Sequence, residues 1–442
     1  SSPAATLSSL NKQIFDVSRD AAKGKNFKSV TVLSTVADPV SIAEFTGATS
    51  TKATGLADIP KGTDVIVADR FLSAEGTLGA ENIDAGKLES FLQAALEALP
   101  IGGLLVIRED LKDNKQPRTA IPALTNIVDV YRHDASGVYA GFDFYVAEQL
   151  EDSIHVRQNW LDFFWVLTKT EFARPDASKN HETFRDFLDR TQYTNDGIGA
   201  YEWMFGKDFI SPGGYDENVR VLGYFPKLEA GKTMLDIGSG IGGGVRQTAA
   251  AFGVTVVGCD LSSNMLSEAI VRVHNERDSR VKYAICDVVK YEFPSNHFDY
   301  VFSRDCIQHI PDTEALFRRI YDTLRPGGTV VITMYGRGAG EWTSHFAEYV
   351  KARAYFLKNL QEIKETATKV GFTDVYVENM TGRFKEILEE ERAHLEKEKA
   401  DFLSQFPQKN YDSLVNGWSS KLKYIEADNH NWNMFRATKP NH

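Results

Sequence analysis

The sequence predicts an α/β chain built on a mostly parallel sheet, in two copies of which the first is degenerate. Three observations predict it. Beyond about Tyr193, short apolar runs alternate with amphipathic helical stretches, the mark of strand–helix–strand units. One run, "MLDIGSGIGGG" at 234–244, breaks into glycines just before a helix. The first half then repeats the pattern of the second in the same order, without that glycine cluster.

In the second half, "KTMLDIGSG" reads as a buried strand, "GGGVRQTAAAFG" as a helix and "VTVVGCD" as a second strand. "SNMLSEAIVRVHNER" is a helix capped by Ser262 or Ser263, and "VKYAICD" is a third strand. "HFDYVFSRD" is a fourth strand, "TEALFRRIYDTLRPGG" a helix stopped by Pro326 or Gly327, and "TVVITMY" a fifth. "FTDVYVENM" and "NWNMFRATKP" close the sheet as an antiparallel pair, for seven strands in all. Between them "FKEILEEERAHLEKEKADFLSQF" is a long charged helix with its apolar stripe turned inward.

In the first half, "SVTVLSTVADPVSIAEF" echoes "GVTVVGCDLSSNMLSEA", and "GTDVIVADRFLS" echoes "HFDYVFSRDCIQ". "RQNWLDFFWVLTKT" likewise echoes "HNWNMFRATKP". Nothing before Ser29 matches "LDIGSGIGGG"; a polar helical stretch, "NKQIFDVSRDAAKGKNF", stands there. The expected layout is a degenerate copy over 1–175, a linker over 176–190 marked by the stretch "FARPDASKNHE" with its Pro, Ser and Asn, and a working domain over 191–442.

Composition narrows the function. A net charge of −11 argues against a nucleic-acid binder, whose footprint would be basic. Three cysteines, Cys259, Cys286 and Cys306, show no disulfide framework and no zinc spacing, which fits a reducing cytoplasm and implies no metal. "SSPAATLSSLNKQIF" lacks the apolar core of a signal peptide, and no run is long enough to span a bilayer, so no membrane insertion is expected. No motif speaks to oligomeric state, and a monomer is compatible with the sequence.

Glycines after a strand let a ligand approach bare backbone, and by themselves they suit a dinucleotide or another nucleotide-like cofactor equally. Asp236, just before the first glycine, would repel a pyrophosphate but suits a ligand carrying an amine and a sulfonium. Asp260, ending the second strand, is placed for ribose hydroxyls, and Asp287, ending the third, for an adenine amino group. Any one of these alone is an ordinary strand-end turn residue. Together with "LRPGG" they make the region resemble class I S-adenosylmethionine (AdoMet)-dependent methyltransferases, whose fold is Rossmann-like.

A more specific resemblance lies in "TQYTNDGIGAYEWMFGKDFISPGG", 191–214, and continues through "SRDCIQHI", "ITMYGRGAGEW", "EYVKARAYF" and "GWSSK". These segments resemble phosphoethanolamine N-methyltransferases, and the two-copy layout is similar to nematode members whose working domain is C-terminal. The resemblance implies AdoMet as cofactor, S-adenosylhomocysteine (AdoHcy) as product, and methylation of phosphomonomethylethanolamine to phosphodimethylethanolamine and then phosphocholine.

It also implies roles for individual residues. An alkylammonium has no lone pair, so transfer requires a base that takes its proton. His309 matches the family's base and Tyr193 its hydrogen-bonding partner, which closes over the site. Gln192, Tyr201 and Asp305 match the amine end, where aromatic faces and a carboxylate suit a quaternising nitrogen. Tyr335, Tyr349, Arg353, Tyr355 and Lys421 match the phosphate cluster. Tyr349 and Arg353 share a helical face, but Tyr355 joins them only if the helix ends between. Cofactor contacts would come from Ile210, Ser211, Asp236, Gly238, Gly240, Asp260, Leu261, Asp287, Val288, Ser303 and Arg304. Pro212 departs from the small polar residue common at that place in the family.

Without the motif, His309 reads as a buried core histidine, Asp305 as a partner of Arg304 and Arg353 as a solvated charge. Two other functions remain open on the residues alone. One is an AdoMet-dependent methyltransferase for another small molecule, which would want an apolar pocket. The other is an AdoMet-binding regulatory module.

Overall fold

The computed structural model describes residues 3–112, 117–127, 132–133, 139–172 and 184–442. Contacts divide the chain into two compact units, one of 1–191 with 261–292 and one of 192–260 with 293–442. Of the linker expected at 176–190, residues 176–183 lie outside the described residues, and Phe184–Arg190 is a helix.

The strands in chain order are β1 (Ser29–Leu33), β2 (Thr49–Ala53), β3 (Val65–Asp69), β4 (Leu104–Asp110), β5 (Arg132–His133), β6 (Tyr139–Gln149) and β7 (Asp162–Glu171). They continue with β8 (Thr233–Ile237), β9 (Thr255–Asp260), β10 (Val281–Cys286), β11 (Phe298–Arg304), β12 (Leu324–Arg337), β13 (Thr373–Asn379) and β14 (His430–Thr438).

In the second unit the order is β13-β14-β12-β11-β8-β9. β9, β8, β11 and β12 run parallel, while β14 returns antiparallel between β12 and β13. Val330, Val331, Ile332 and Phe435 are fully buried, the mark of strands covered on both faces. Parallel strands all end on one edge, so the loops after β8, β9 and β11 gather at one rim, where such sheets bind ligands. The long charged stretch is two helices, Thr381–Lys397 and Lys399–Gln405, broken at Glu398.

The first unit has the order β10-β6-β7-β4-β3-β1-β2. Its core mirrors the second, with β7 antiparallel between β4 and β6 as β14 is between β12 and β13. Among the described residues one strand is absent: β1 pairs directly with β3, whereas β8 stands between β9 and β11. The strand that would carry a glycine turn is therefore missing from the first copy, as the sequence indicated. Arg108 fills the strand ends there, donating to Asp69 Oδ1 at 3.0 Å and to Asp162 Oδ1 at 2.8 Å, all fully buried.

The segment 261–292 clusters with the first unit for a physical reason. β10 pairs antiparallel with β6, and helix Ser263–Glu276 packs on helix Pro117–Thr125. Ser262 is the N-cap of that helix, accepting the Met265 N–H at 3.1 Å. No helix among the described residues is long and apolar enough to cross a membrane.

Candidate active site

β8 delivers Asp236 and then turns at Gly238, where φ is +77°. An added Cβ at Gly238 would sit 2.5 Å from Cys306 Cβ, so both torsion and space require glycine. The N–H groups of Gly238 and Ser239 both donate to Cys259 O, at 2.8 and 3.0 Å, and fasten the turn to β9. Gly240 N–H donates to Asp260 Oδ2 at 2.9 Å, so the expected ribose carboxylate also orders the loop. Ser303 Oγ donates to Ile237 O at 2.7 Å beneath it.

A cavity opens over this turn, and its wall includes Ile210, Ser211, Asp236, Gly238, Gly240 and Arg304. Asp236 is only 6 % exposed. Burial, with the neighbouring Asp260 carboxylate adding to it and Arg304 opposing, pushes its pKa up to about 8. A buried carboxyl so placed gains from a ligand cation. The remaining expected cofactor residues, Leu261, Asp287 and Val288, belong to the first unit. There Asp287 Oδ1 accepts the Val289 N–H at 3.0 Å, and Val288 is buried.

The acceptor side begins where β11 ends. Asp305 has φ +53°, rare for a residue with a side chain, and its N–H donates to Thr333 O at 2.9 Å. Its Oδ1 accepts from Trp432 Nε1 at 2.6 Å and Thr333 Oγ1 at 3.1 Å. Burial raises its pKa, opposed by Arg304, whose Nη2 lies 3.6 Å from Oδ2, and by those two donors.

His309 closes the short 3-10 turn Ile307–His309. Burial lowers its pKa to about 4, helped by Arg353 and opposed by a backbone hydrogen bond with Ala354, so the imidazole is neutral at pH 7. Its ring lies 5.1 Å from that of Tyr355. Tyr193 is half-buried, its pKa raised by desolvation first and then by Asp260, Tyr201 and Tyr355; Gln192 Nε2 donates to its Oη at 3.3 Å.

Helix Ser344–Arg353 ends at Arg353, and Ala354 takes φ +53° as its left-handed cap. The chain reverses there, and Tyr355 N–H donates to Val350 O at 3.0 Å. The helix thus ends where the sequence required, and the Tyr355 ring comes within 5.7 Å of the Tyr349 ring, while Tyr355, Tyr201 and Tyr349 all act on the Arg353 charge. The Arg353 Cζ is 5.8 Å from the Tyr349 ring centre. The rings of Tyr335 and Tyr355 meet at 5.8 Å.

Lys421, on helix Gln408–Glu426, has Nζ 5.8 Å from the Tyr335 ring and 5.1 Å from Trp418. Burial and then Arg353 lower its pKa to about 8, while Glu391 and Asp305 hold it up. Two cations and four phenols thus gather at one place, with Tyr335 and Tyr355 buried and Asp305 and Glu391 beside them, and the cationic side of that arrangement suits an anionic ligand.

Sequence reasoning missed Trp432, Thr333, Trp418 and Glu391. Trp432 and Thr333 lie on β14 and β12, where they read as ordinary sheet residues. Glu391 carried a signal: it falls in register with Phe384, Leu388 and Leu395 on the buried stripe of its helix. Among the described residues, no group of three or more His, Cys, Asp or Glu could hold a metal.

Residues 8–173 match the family model described as Phosphoethanolamine N-methyltransferase 2 N-terminal, and residues 235–332 match the Methyltransferase domain. The chain is 58% identical over 359 residues to Phosphoethanolamine N-methyltransferase 2 of Caenorhabditis elegans, covering 81% of each. It is 34% identical over 264 residues to the Plasmodium falciparum Phosphoethanolamine N-methyltransferase, covering 59% of this chain and 98% of that one. A solved structure of Haemonchus contortus phosphoethanolamine N-methyltransferase 2, with phosphomonomethylethanolamine and S-adenosylhomocysteine, superposes with TM-score 0.90 at 46% identity over 98% of this chain and 99% of that one. On this agreement of sequence and fold, the chain belongs to the phosphoethanolamine N-methyltransferase family.

Proposed function

We propose that the second unit transfers methyl groups from AdoMet to phosphomonomethylethanolamine and then to phosphodimethylethanolamine, giving phosphocholine. The observation that carries this reading is the cluster of Arg353, Lys421, Tyr201, Tyr335, Tyr349 and Tyr355 next to Asp305, buried at Tyr335 and Tyr355 and half-buried elsewhere. Such a site takes a small molecule with an anion at one end and a cation at the other. An apolar acceptor such as a quinone or sterol would cover both cations without bringing them an anion, which is unfavourable. The homologous Haemonchus contortus structure binds phosphomonomethylethanolamine, which has that polarity.

In this reading the sulfonium lies against the turn at Gly238, with Asp236 facing its cationic end. Arg353, Lys421 and the phenols fix the phosphate, and Asp305 Oδ2 takes the amine. Neutral His309, oriented with Tyr193, accepts the proton as nitrogen attacks the methyl group. The sulfonium already activates the leaving group, so no metal is called for. The test is methyl transfer from labelled AdoMet to phosphoethanolamine, its mono- and dimethyl forms, and free methylethanolamine. Transfer to the methylated phosphobases and none to the free amine is expected; equal transfer to the free amine removes the phosphate site.

A further inference from the structure

Ile210 and Ser211, on the wall of the cofactor cavity, lead into Pro212–Gly213. The peptide group joining Pro212 to Gly213 is gripped on both sides. Its C=O accepts from Arg304 Nη2 at 3.0 Å, and its N–H donates to Glu391 Oε2 at 3.2 Å. Proline fixes φ on one side, Gly213 at φ +85° completes the turn, and Gly214 N–H closes it on Ser211 O at 3.1 Å, so those two side-chain hydrogen bonds set where a stiff turn sits.

Glu391 is an unexpected residue for the task. Phe384, Leu388 and Leu395 are buried on the same helix, and Glu391 occupies the same stripe, while Glu389 and Glu390 are exposed. A carboxylate in an apolar stripe is costly unless it is paired. Its Oε2 accepts the Gly213 N–H, its Oε1 is buried, and the Trp418 indole and the Lys421 and Arg304 cations act on it from around the carboxylate. A purely structural bridge from helix to turn would be served by a neutral amide. What the charge adds reaches helix Gln408–Glu426, which packs on the helix of Glu391 and carries both Trp418 and Lys421; Lys421 Nζ lies 5.1 Å from the Trp418 ring, and Glu391 supports its ammonium against the repulsion of Arg353.

We propose that Glu391 is a positioning residue that holds the Pro212–Gly213 peptide for the cofactor and supplies the negative charge that keeps Lys421 an anion-binding cation. Arg304 completes the pair from the other side, since it also stands beside Asp305. One peptide group therefore links the carboxylate that faces the amine, the lysine that faces the phosphate, and the wall of the cofactor cavity. The Lys421 half of this inference rests on the phosphobase reading; the peptide grip does not.

Two variants of the full chain separate the halves, studied at pH 8, where the burial-raised carboxyl of Glu391, near 7, is ionised. Glu391→Gln keeps an oxygen acceptor for Gly213 and loses the charge; Glu391→Met fills the space and loses both. AdoHcy affinity is read by calorimetry, and KM and kcat with phosphomonomethylethanolamine. The glutamine variant is expected to bind AdoHcy within about twofold of wild type, with KM raised about tenfold and kcat held, the scale of one lost charged partner. The methionine variant is expected to weaken AdoHcy binding as well, by about tenfold. A wild-type KM in the glutamine variant overturns the charge role, and wild-type AdoHcy affinity in a folded methionine variant overturns the grip. If the methionine variant does not fold, the glutamine KM still decides. If the wild type methylates no phosphobase, the phosphobase reading fails, while AdoHcy affinities of the two variants still judge the grip.

Discussion

Trp432 Nε1 donates to Asp305 Oδ1 at 2.6 Å, and so decides which carboxylate oxygen is left for a ligand. Thr333 Oγ1 occupies the same Oδ1, while Oδ2 is buried with no hydrogen-bond donor and has only Arg304 Nη2 at 3.6 Å. Removing the indole N–H lets the carboxylate rotate and exposes its charge to fewer donors. Trp432→Phe is expected to raise the phosphobase KM about tenfold, the worth of one hydrogen bond to a charged group, with AdoHcy affinity unchanged. Steady-state kinetics with calorimetry checks it; an unchanged KM would place the amine elsewhere.

Asp236 makes cofactor binding depend on pH. Its folded pKa is about 8 because burial disfavours the anion. A sulfonium or amino cation pairs with the ionised form, so AdoMet affinity should rise from pH 6 toward pH 8 and then level off. Over that range the slope approaches a tenfold gain per pH unit. Calorimetry across the range tests this, and Asp236→Asn should flatten it.

His309 is neutral at pH 7, since burial holds its pKa near 4. A base so placed is available throughout the physiological range, and its protonation should limit kcat/KM only well below pH 6. Replacing it with alanine should cut kcat by about 10²–10⁴, the range for a lost general base, with AdoMet affinity nearly kept. Turnover equal to wild type would remove His309 from the chemistry.

Arg353 faces the end of the substrate that does not react. Arg353→Met should raise KM by about one to two orders of magnitude, as expected on losing a bidentate charged anchor, while kcat at saturation falls far less. A fall confined to kcat would mean that Arg353 acts on the reacting atoms.

Much of this was legible in the sequence because backbone needs leave clear marks. Gly238 must be glycine for torsion and space, and the run around it gave away both strand and turn. The missing strand of the first copy was visible as the absence of any such run before Ser29, and β1 pairs with β3 accordingly. The Arg353–Ala354–Tyr355 reversal was legible only as a condition, because Ala354 carries no sign of a left-handed torsion. Trp432 and Glu391 were hidden for another reason. Their partners, Asp305 and Gly213, lie 127 and 178 residues away, and no local spacing encodes such a contact.

A crystal structure of the full chain with phosphomonomethylethanolamine and AdoHcy bound together tests the central claim most directly. The account places the phosphate against Arg353, Lys421 and the phenols, the nitrogen at Asp305 Oδ2, and the AdoHcy sulfur over the turn at Gly238, in line with that nitrogen. A phosphate bound away from Arg353, or a sulfur away from that turn, would contradict it.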